Sequence, residues 1–196
     1  RTDGGYRKVM FLDARKAHLN PKCEDDVYIE LPEECGLGKE WCGKLNYWLY
    51  GFRPAAAAWE RHYSGLLESI GFERGNACGV IFYHEERDIS LAVHGDDFTF
   101  CGLEEDLRWI REVMGSWFDI KVRAILGEDP EDDKEVTILG RVVRWTGEGI
   151  EFEADPKHRL LIMDKFGFEE GSKVLVNNGE TVSYTHLRAH ETLQHL

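Results

Sequence analysis

Basic residues are in short supply: 24 Lys and Arg stand against 37 Asp and Glu, a formal net charge of −13 over 196 residues. That balance speaks against a chain that coats nucleic acid by electrostatics alone, because phosphate binding draws on clustered Lys and Arg. Long apolar runs are missing as well. No stretch approaches the roughly 18–20 residues that cross a bilayer as a helix, and no charged start followed by an apolar segment resembles a signal peptide. The five cysteines, at 23, 35, 42, 78 and 101, supply neither an even set for a disulfide framework nor a Cys-x-x-Cys spacing for structural zinc. An intracellular, reducing compartment, cytoplasm or nucleus, is the expectation. Disorder is excluded by six Trp, seven Tyr and ten Phe, which are enough to build a core.

What is present is a strong local periodicity. An apolar, strand-like run from Tyr6 to Asp13 begins almost at the first residue, so the chain reads as a fragment. Val27 to Leu31 alternates as a short strand. From Ala55 to Ile70 the period becomes helical, with Trp59, Tyr63, Leu66, Leu67 and Ile70 on one face and Gly71 as the stop. Two strands follow, Gly79–Tyr83 and Ile89–Val93, and alternation resumes at Phe98. Leu103, Leu107, Ile110, Val113, Met114 and Trp117 mark a second helix, whose first turn places Glu104, Glu105 and Asp106 where the helix dipole favours negative charge. Ile120 to Leu126 reads as another strand. The acidic run from Glu128 to Glu135 is expected to be an open, solvated loop. Val136–Trp145 and Gly149–Glu153 predict a hairpin, and a helix is expected from Asp155 to Phe166 with Pro156 at its first position. Mixed rather than alternating elements predict an α+β fold, an antiparallel sheet with helices on one face.

The chemistry concentrates at His94-Gly95-Asp96-Asp97, two carboxylates at the tip of a strand–turn–strand. Adjacent carboxylates raise one another's pKa unless a cation sits between them. Asp25-Asp26 and Asp132-Asp133 are also acidic pairs, but only Asp96-Asp97 is flanked on both sides by apolar strands. A third carboxylate, Asp13, closes the first strand and is followed by an expected short helical segment, Ala14 to Ala17. If the two strands are neighbours, Asp13 and Asp96 can share divalent ions, which stand about 3.5–4 Å apart in two-metal phosphoryl transfer. Hard oxygen ligands select Mg²⁺ or Mn²⁺. On periodicity alone a solvated turn remains an alternative. Trp59, Tyr63 and Leu67 read as core, and His94 as a packed or hydrogen-bonded histidine.

From Val9 to Phe168 the chain resembles, block by block, the reverse transcriptase domain of copia-type retrotransposons. Phe11-Leu12-Asp13 with Lys16-Ala17-His18-Leu19-Asn20 is similar to that family's first catalytic block, and Asp26-Val27-Tyr28 with Pro32 to the next. Lys44-Leu45, Leu49-Tyr50-Gly51-Phe52-Arg53 and Ala58-Trp59 resemble the segment leading into the helix under the nucleotide site. His94-Gly95-Asp96-Asp97 stands at the place of the Tyr-x-Asp-Asp turn, and Phe118-Asp119, Leu139-Gly140 and Lys165-Phe166-Gly167-Phe168 follow in order.

The resemblance implies a polymerase palm spanning residues 1–170, truncated at its N-terminus, in which Asp13, Asp96 and Asp97 are catalytic and hold two Mg²⁺ or Mn²⁺ ions. It implies that His18, Gly51, Phe52 and Arg53 approach the incoming nucleotide, with His18 replacing an aromatic that blocks a ribose 2′-hydroxyl, and Leu139-Gly140 near the primer grip. Template with primer and deoxynucleotide triphosphates are the implied partners, with no membrane, and fingers, thumb, RNase H and integrase regions are implied elsewhere in a polyprotein. Without fingers or thumb to hold primer and template in line, the fragment is expected to be inactive alone. An inactive remnant serving as a binding module and a small metal-dependent phosphoesterase are the other readings. Residues 171–196 are expected to be a disordered tail. Within it, Thr181 to Thr192 resembles a translated sequencing adapter, so the spacing of His186 and His190 is not taken as a metal site.

Overall fold

A computed structural model describes residues 6–153 and 156–167, and the Thr181–Thr192 stretch lies outside them. The chain divides into two compact units, Arg1–Asp155 and Pro156–Leu196. In the first unit the described elements run β1 (Lys8–Ala14), β2 (Tyr28–Glu30), β3 (Cys42–Lys44), α1 (Arg53–Ser69), β4 (Phe72–Arg74), β5 (Ile81–His84), β6 (Ile89–His94), β7 (Asp97–Gly102), α2 (Glu104–Trp117), β8 (Ile120–Leu126), β9 (Glu135–Ile138), β10 (Arg141–Thr146) and β11 (Gly149–Phe152). In the second unit α3 spans Pro156–Phe166.

Six strands form one sheet in the order β4-β5-β6-β7-β1-β8, antiparallel at every pairing. Each strand's alternation sends one set of side chains to each face. Met10, Leu12, Phe82, Leu91, Phe98 and Phe100 meet Trp59, Tyr63 and Leu67 of α1 and Leu107, Ile110 and Met114 of α2 in the main core. Both helices therefore lie on one face. On the other, Val9, Phe11, Ala124 and Leu126 pack with Ile138 and Val143 of a smaller sheet, β11-β10-β9. The α+β expectation holds.

Several local expectations change. The segment after Asp13 is not helical from Ala14. Ala14 is still strand, Lys16 takes a left-handed φ of 54°, and a single 3₁₀ turn covers Ala17–Leu19. Val136 to Trp145 is two strands, broken by a tight turn in which Leu139 (φ 51°) and Gly140 (φ 75°) are both left-handed. A leucine at such a position carries no turn signal, so periodicity runs through it. The acidic loop is not open. Lys8, 7% exposed, reaches into it with Nζ 2.7 Å from Asp129 and 2.9 Å from Asp132, and Lys134 Nζ donates to the carbonyls of Gly127 and Asp129.

Candidate active site

The predicted carboxylates come together at one end of the central strands. β1 and β7 are neighbours, and Asp13 stands directly opposite Asp97. Directly opposed residues of an antiparallel pair point to the same face. That face is opposite the helices, because Leu12 and Phe98 point into the main core. Asp96 lies one residue earlier, exposed, in the two-residue turn between His94 of β6 and Asp97 of β7. The register makes Asp97, rather than Asp96, the direct partner of Asp13.

Backbone contacts hold the turn. Ala14 N–H donates to the Asp96 carbonyl at 2.9 Å, tying β1 to the tip. Gly95 has φ +65°, a conformation that glycine adopts without steric cost. Its carbonyl accepts from the indole N–H of Trp59 at 2.9 Å. Trp59 is 2% exposed, ringed by Tyr63, Phe98 and Phe118. It is core, as expected, and it also carries a hydrogen bond to the tip.

Electrostatically the tip is strained in one direction. Burial pushes the Asp97 carboxyl above its ordinary range, the Arg123 guanidinium pulls against it, and the like charges of Asp96 and Asp13 add to the rise. Arg123 Nη1 donates to Asp97 Oδ1 at 2.9 Å. Across the other edge of β1, Lys121 of β8 stands opposite Asp13 in register. The oxygen chemistry of Asp13, Asp96 and Asp97 suits a hard divalent cation. Among the described residues, however, no three His, Cys, Asp or Glu side chains converge closely enough to hold one.

The remaining predicted positions form a second group. His18, in the 3₁₀ turn, packs its ring on Tyr50 with centroids 4.5 Å apart, and its Nδ1 is buried without a hydrogen-bond partner. Tyr50 leads directly into Gly51 (φ 90°), half-buried Phe52 and exposed Arg53, the first residue of α1. So His18 is joined to the Gly51–Arg53 segment. His94 is exposed at the end of β6 rather than packed. Arg123 was not among the predicted residues. Its only signal is the polar alternation of Lys121 and Arg123 along β8, which does not say which strand lies beside it.

Residues 4–128 match the family model described as reverse transcriptase (RNA-dependent DNA polymerase). The match takes in the whole six-stranded sheet and both helices packed on it. The chain is also similar to a retrovirus-related Pol polyprotein from transposon TNT 1-94 of Nicotiana tabacum, at 26% identity over 120 residues. That likeness covers 58% of this chain and 9% of the relative, so the chain spans a small part of the polyprotein's length. With the family model covering well over half of its length, and the paired aspartates in place on adjacent strands, the chain belongs to the reverse transcriptase (RNA-dependent DNA polymerase) family.

Proposed function

We propose that this chain is the palm portion of a copia-type retrotransposon reverse transcriptase and serves nucleotidyl transfer to a primer 3′-end on an RNA or DNA template. The observation that carries the reading is the register of β1 and β7, which opposes Asp13 to Asp97 with Asp96 beside them. Three carboxylates at one strand end, with burial first and like charges after it pushing the Asp97 carboxyl upward, offer oxygen donors of the kind that a divalent cation takes. Asp13 and Asp96 would be the principal ligands of two Mg²⁺ or Mn²⁺ ions, with Asp97 the third carboxylate. Such ions, when bound, supply the Lewis acidity that activates a hydroxyl and steadies a pyrophosphate leaving group.

The chain's own residues do the positioning. Ala14 and Trp59 fix the tip through the carbonyls of Asp96 and Gly95. His18 and the Gly51–Arg53 segment would meet the nucleotide, Arg53 through its phosphates and His18 near the sugar. Basic residues, scarce overall, are denser near the start of the sequence, where Arg1 to Cys23 carries six against two acidic. Template grip and thumb contacts would come from the rest of a polyprotein. Among the described residues no helix is long and apolar enough to cross a membrane.

Primer extension on an RNA template, by a longer polypeptide that carries this chain within its polyprotein, tests the proposal. Extension in Mg²⁺ or Mn²⁺ that Asp96→Asn abolishes and Asp132→Asn preserves is the expected result; no extension with either metal sinks it. The isolated chain is expected not to extend a primer. One observation favours an inactive remnant instead, the engagement of Asp97 by Arg123. Template-free hydrolysis of a phosphoester would favour a phosphoesterase.

A further inference from the structure

β8 does not touch β7, because β1 lies between them. Neighbouring strands are about 4.8 Å apart, so a side chain on β8 must cross roughly 10 Å to reach β7. Arg123 does so, and a β-bulge lets it. Leu12 pairs with Val122 and Phe11 with Ala124, which leaves Arg123 as the extra residue. Bulges re-aim side chains, and are common beside active sites. Here the bulge delivers a guanidinium over β1 to the carboxylate face, where it takes Asp97 Oδ1 at 2.9 Å. The Asp97 side chain is 15% exposed and that of Arg123 38%, so the pair is partly shielded from solvent.

We propose that Arg123 is a positioning residue: a built-in counter-cation that holds Asp97 out of the metal set, leaves Asp13 and Asp96 as the ligands, and thereby sets the site's affinity for a divalent ion. The inference rests on the metal reading above. It accounts for the failure of the three carboxylates to converge although the register brings them together. It also gives the bulge a purpose. If the register of Ala124 to Leu126 ran on unbroken, Arg123 would stand opposite Leu12 and point, like Ile125, into the main core.

Mn²⁺ titration of the full chain, read by the electron paramagnetic resonance signal of the free ion, tests it without requiring catalysis. Arg123→Gln removes the competing cation, and tighter Mn²⁺ binding is expected, by about fivefold, the equivalent of one partly exposed ion pair. Adding Asp97→Asn to Arg123→Gln should cancel the gain, because the gain depends on freeing that carboxylate. Arg123→Lys, which keeps the charge but not the planar fork, should fall between the wild type and Arg123→Gln. A merely structural role predicts the reverse, weaker binding in Arg123→Gln. If the wild-type chain binds Mn²⁺ through Asp96 but Arg123→Gln binds no tighter, the inference is overturned and the metal reading stands. If neither the wild type nor Arg123→Gln binds Mn²⁺ at millimolar concentration, both are overturned.

Discussion

At its first residue β1 buries a cation among carboxylates, and near its last it presents a carboxylate to carboxylates. Lys8 Nζ has Asp129, Asp132 and Glu104 within 3.0 Å, and the Lys8 and Asp132 side chains are each only 8% exposed. Burial alone would lower the lysine's pKa, but its bonds to Asp129, Asp132 and Glu104 outweigh that and raise it. At the other end Asp13 faces Asp97, with Asp96 adjoining; Arg123 reaches over the strand to Asp97, and Lys121 stands opposite Asp13 in register. One end satisfies its charges and ties down a loop. The other leaves them under-compensated on a rigid sheet, which is what a site that must later receive a cation requires. On the proposed function, the difference separates structural charge from charge kept for a cation within seven residues of one strand.

The largest expected effect breaks the satisfied end. Lys8→Met removes the ammonium from Asp132, which stays buried, while Glu104 keeps Arg108 as an ion-pair partner. Removing one partner of a buried pair costs about 3–5 kcal/mol, and about 3 is expected here because Glu104 and Asp129 are exposed to solvent. Urea unfolding would measure it, and a loss below about 1 kcal/mol would show the cluster to be a surface ornament. Trp59→Phe acts at the other end, where backbone contacts replace charge pairing. Loss of the indole bond to Gly95 should cost about 1–2 kcal/mol. Faster amide exchange should be confined to the His94–Asp97 turn and its contact with Ala14.

How much of this comparison is readable in sequence depends on how local the signal is. Helices α1 and α2 and the β6–β7 turn follow from periodicity within short windows, and β1 from its apolar run. The three-residue strands β3 and β4 escape, because three residues alone cannot display alternation, whereas the equally short β2 is seen through its flanking Val27 and Leu31. The left-handed Leu139 hides the β9–β10 turn for want of Gly, Asn or Asp at that position. At the candidate site, Asp13, Asp96 and Asp97 are visible because each lies at or next to the end of a strand. Their juxtaposition needs β1 beside β7, which family resemblance implies and composition does not. Arg123 stays hidden because a bulge has no residue signature, and its partner lies two strands away. The loop after Gly127 reads as open for the same reason: its counter-ion, Lys8, is near the beginning of the chain.

A smaller change, of opposite sign, should appear at the carboxylate end. Because burial and the neighbouring carboxylates disfavour the charged form of Asp97 more than Arg123 favours it, neutralising the side chain relieves more than it removes. Asp97→Asn is therefore expected to be as stable as the wild type or up to about 1 kcal/mol more stable, as substitutions at under-compensated sites often are. A thermal unfolding midpoint below that of the wild type would contradict this. It would then place the carboxylate tip in the same class as the Lys8 cluster.

The two ends also differ in how acid should reach them, and the signs can be followed group by group. His62 packs against Phe118 and against Trp59, whose indole holds the carboxylate turn at Gly95, and burial holds its pKa below the ordinary 6.5. The unfolded chain therefore binds a proton there before the folded one does, and stability falls as pH drops through about 6.5. Glu104 and Asp129 are shifted the other way relative to their charge, lowered by the hydrogen bond and attraction of Lys8. Their contribution is present above the ordinary carboxylate values of 4.5 and 3.8 and is lost as pH falls through the lower folded values. Acid unfolding should accordingly show two limbs. His62→Phe should flatten the upper limb, which begins as pH falls through about 6.5, and leave the lower one. Lys8→Met should do the converse, since the ammonium is the largest influence that holds those carboxylates below their ordinary values, Arg108 and Lys134 adding smaller ones. A single variant that flattens both limbs would mean that the two ends of β1 titrate as one network, and the separation drawn between them would fail.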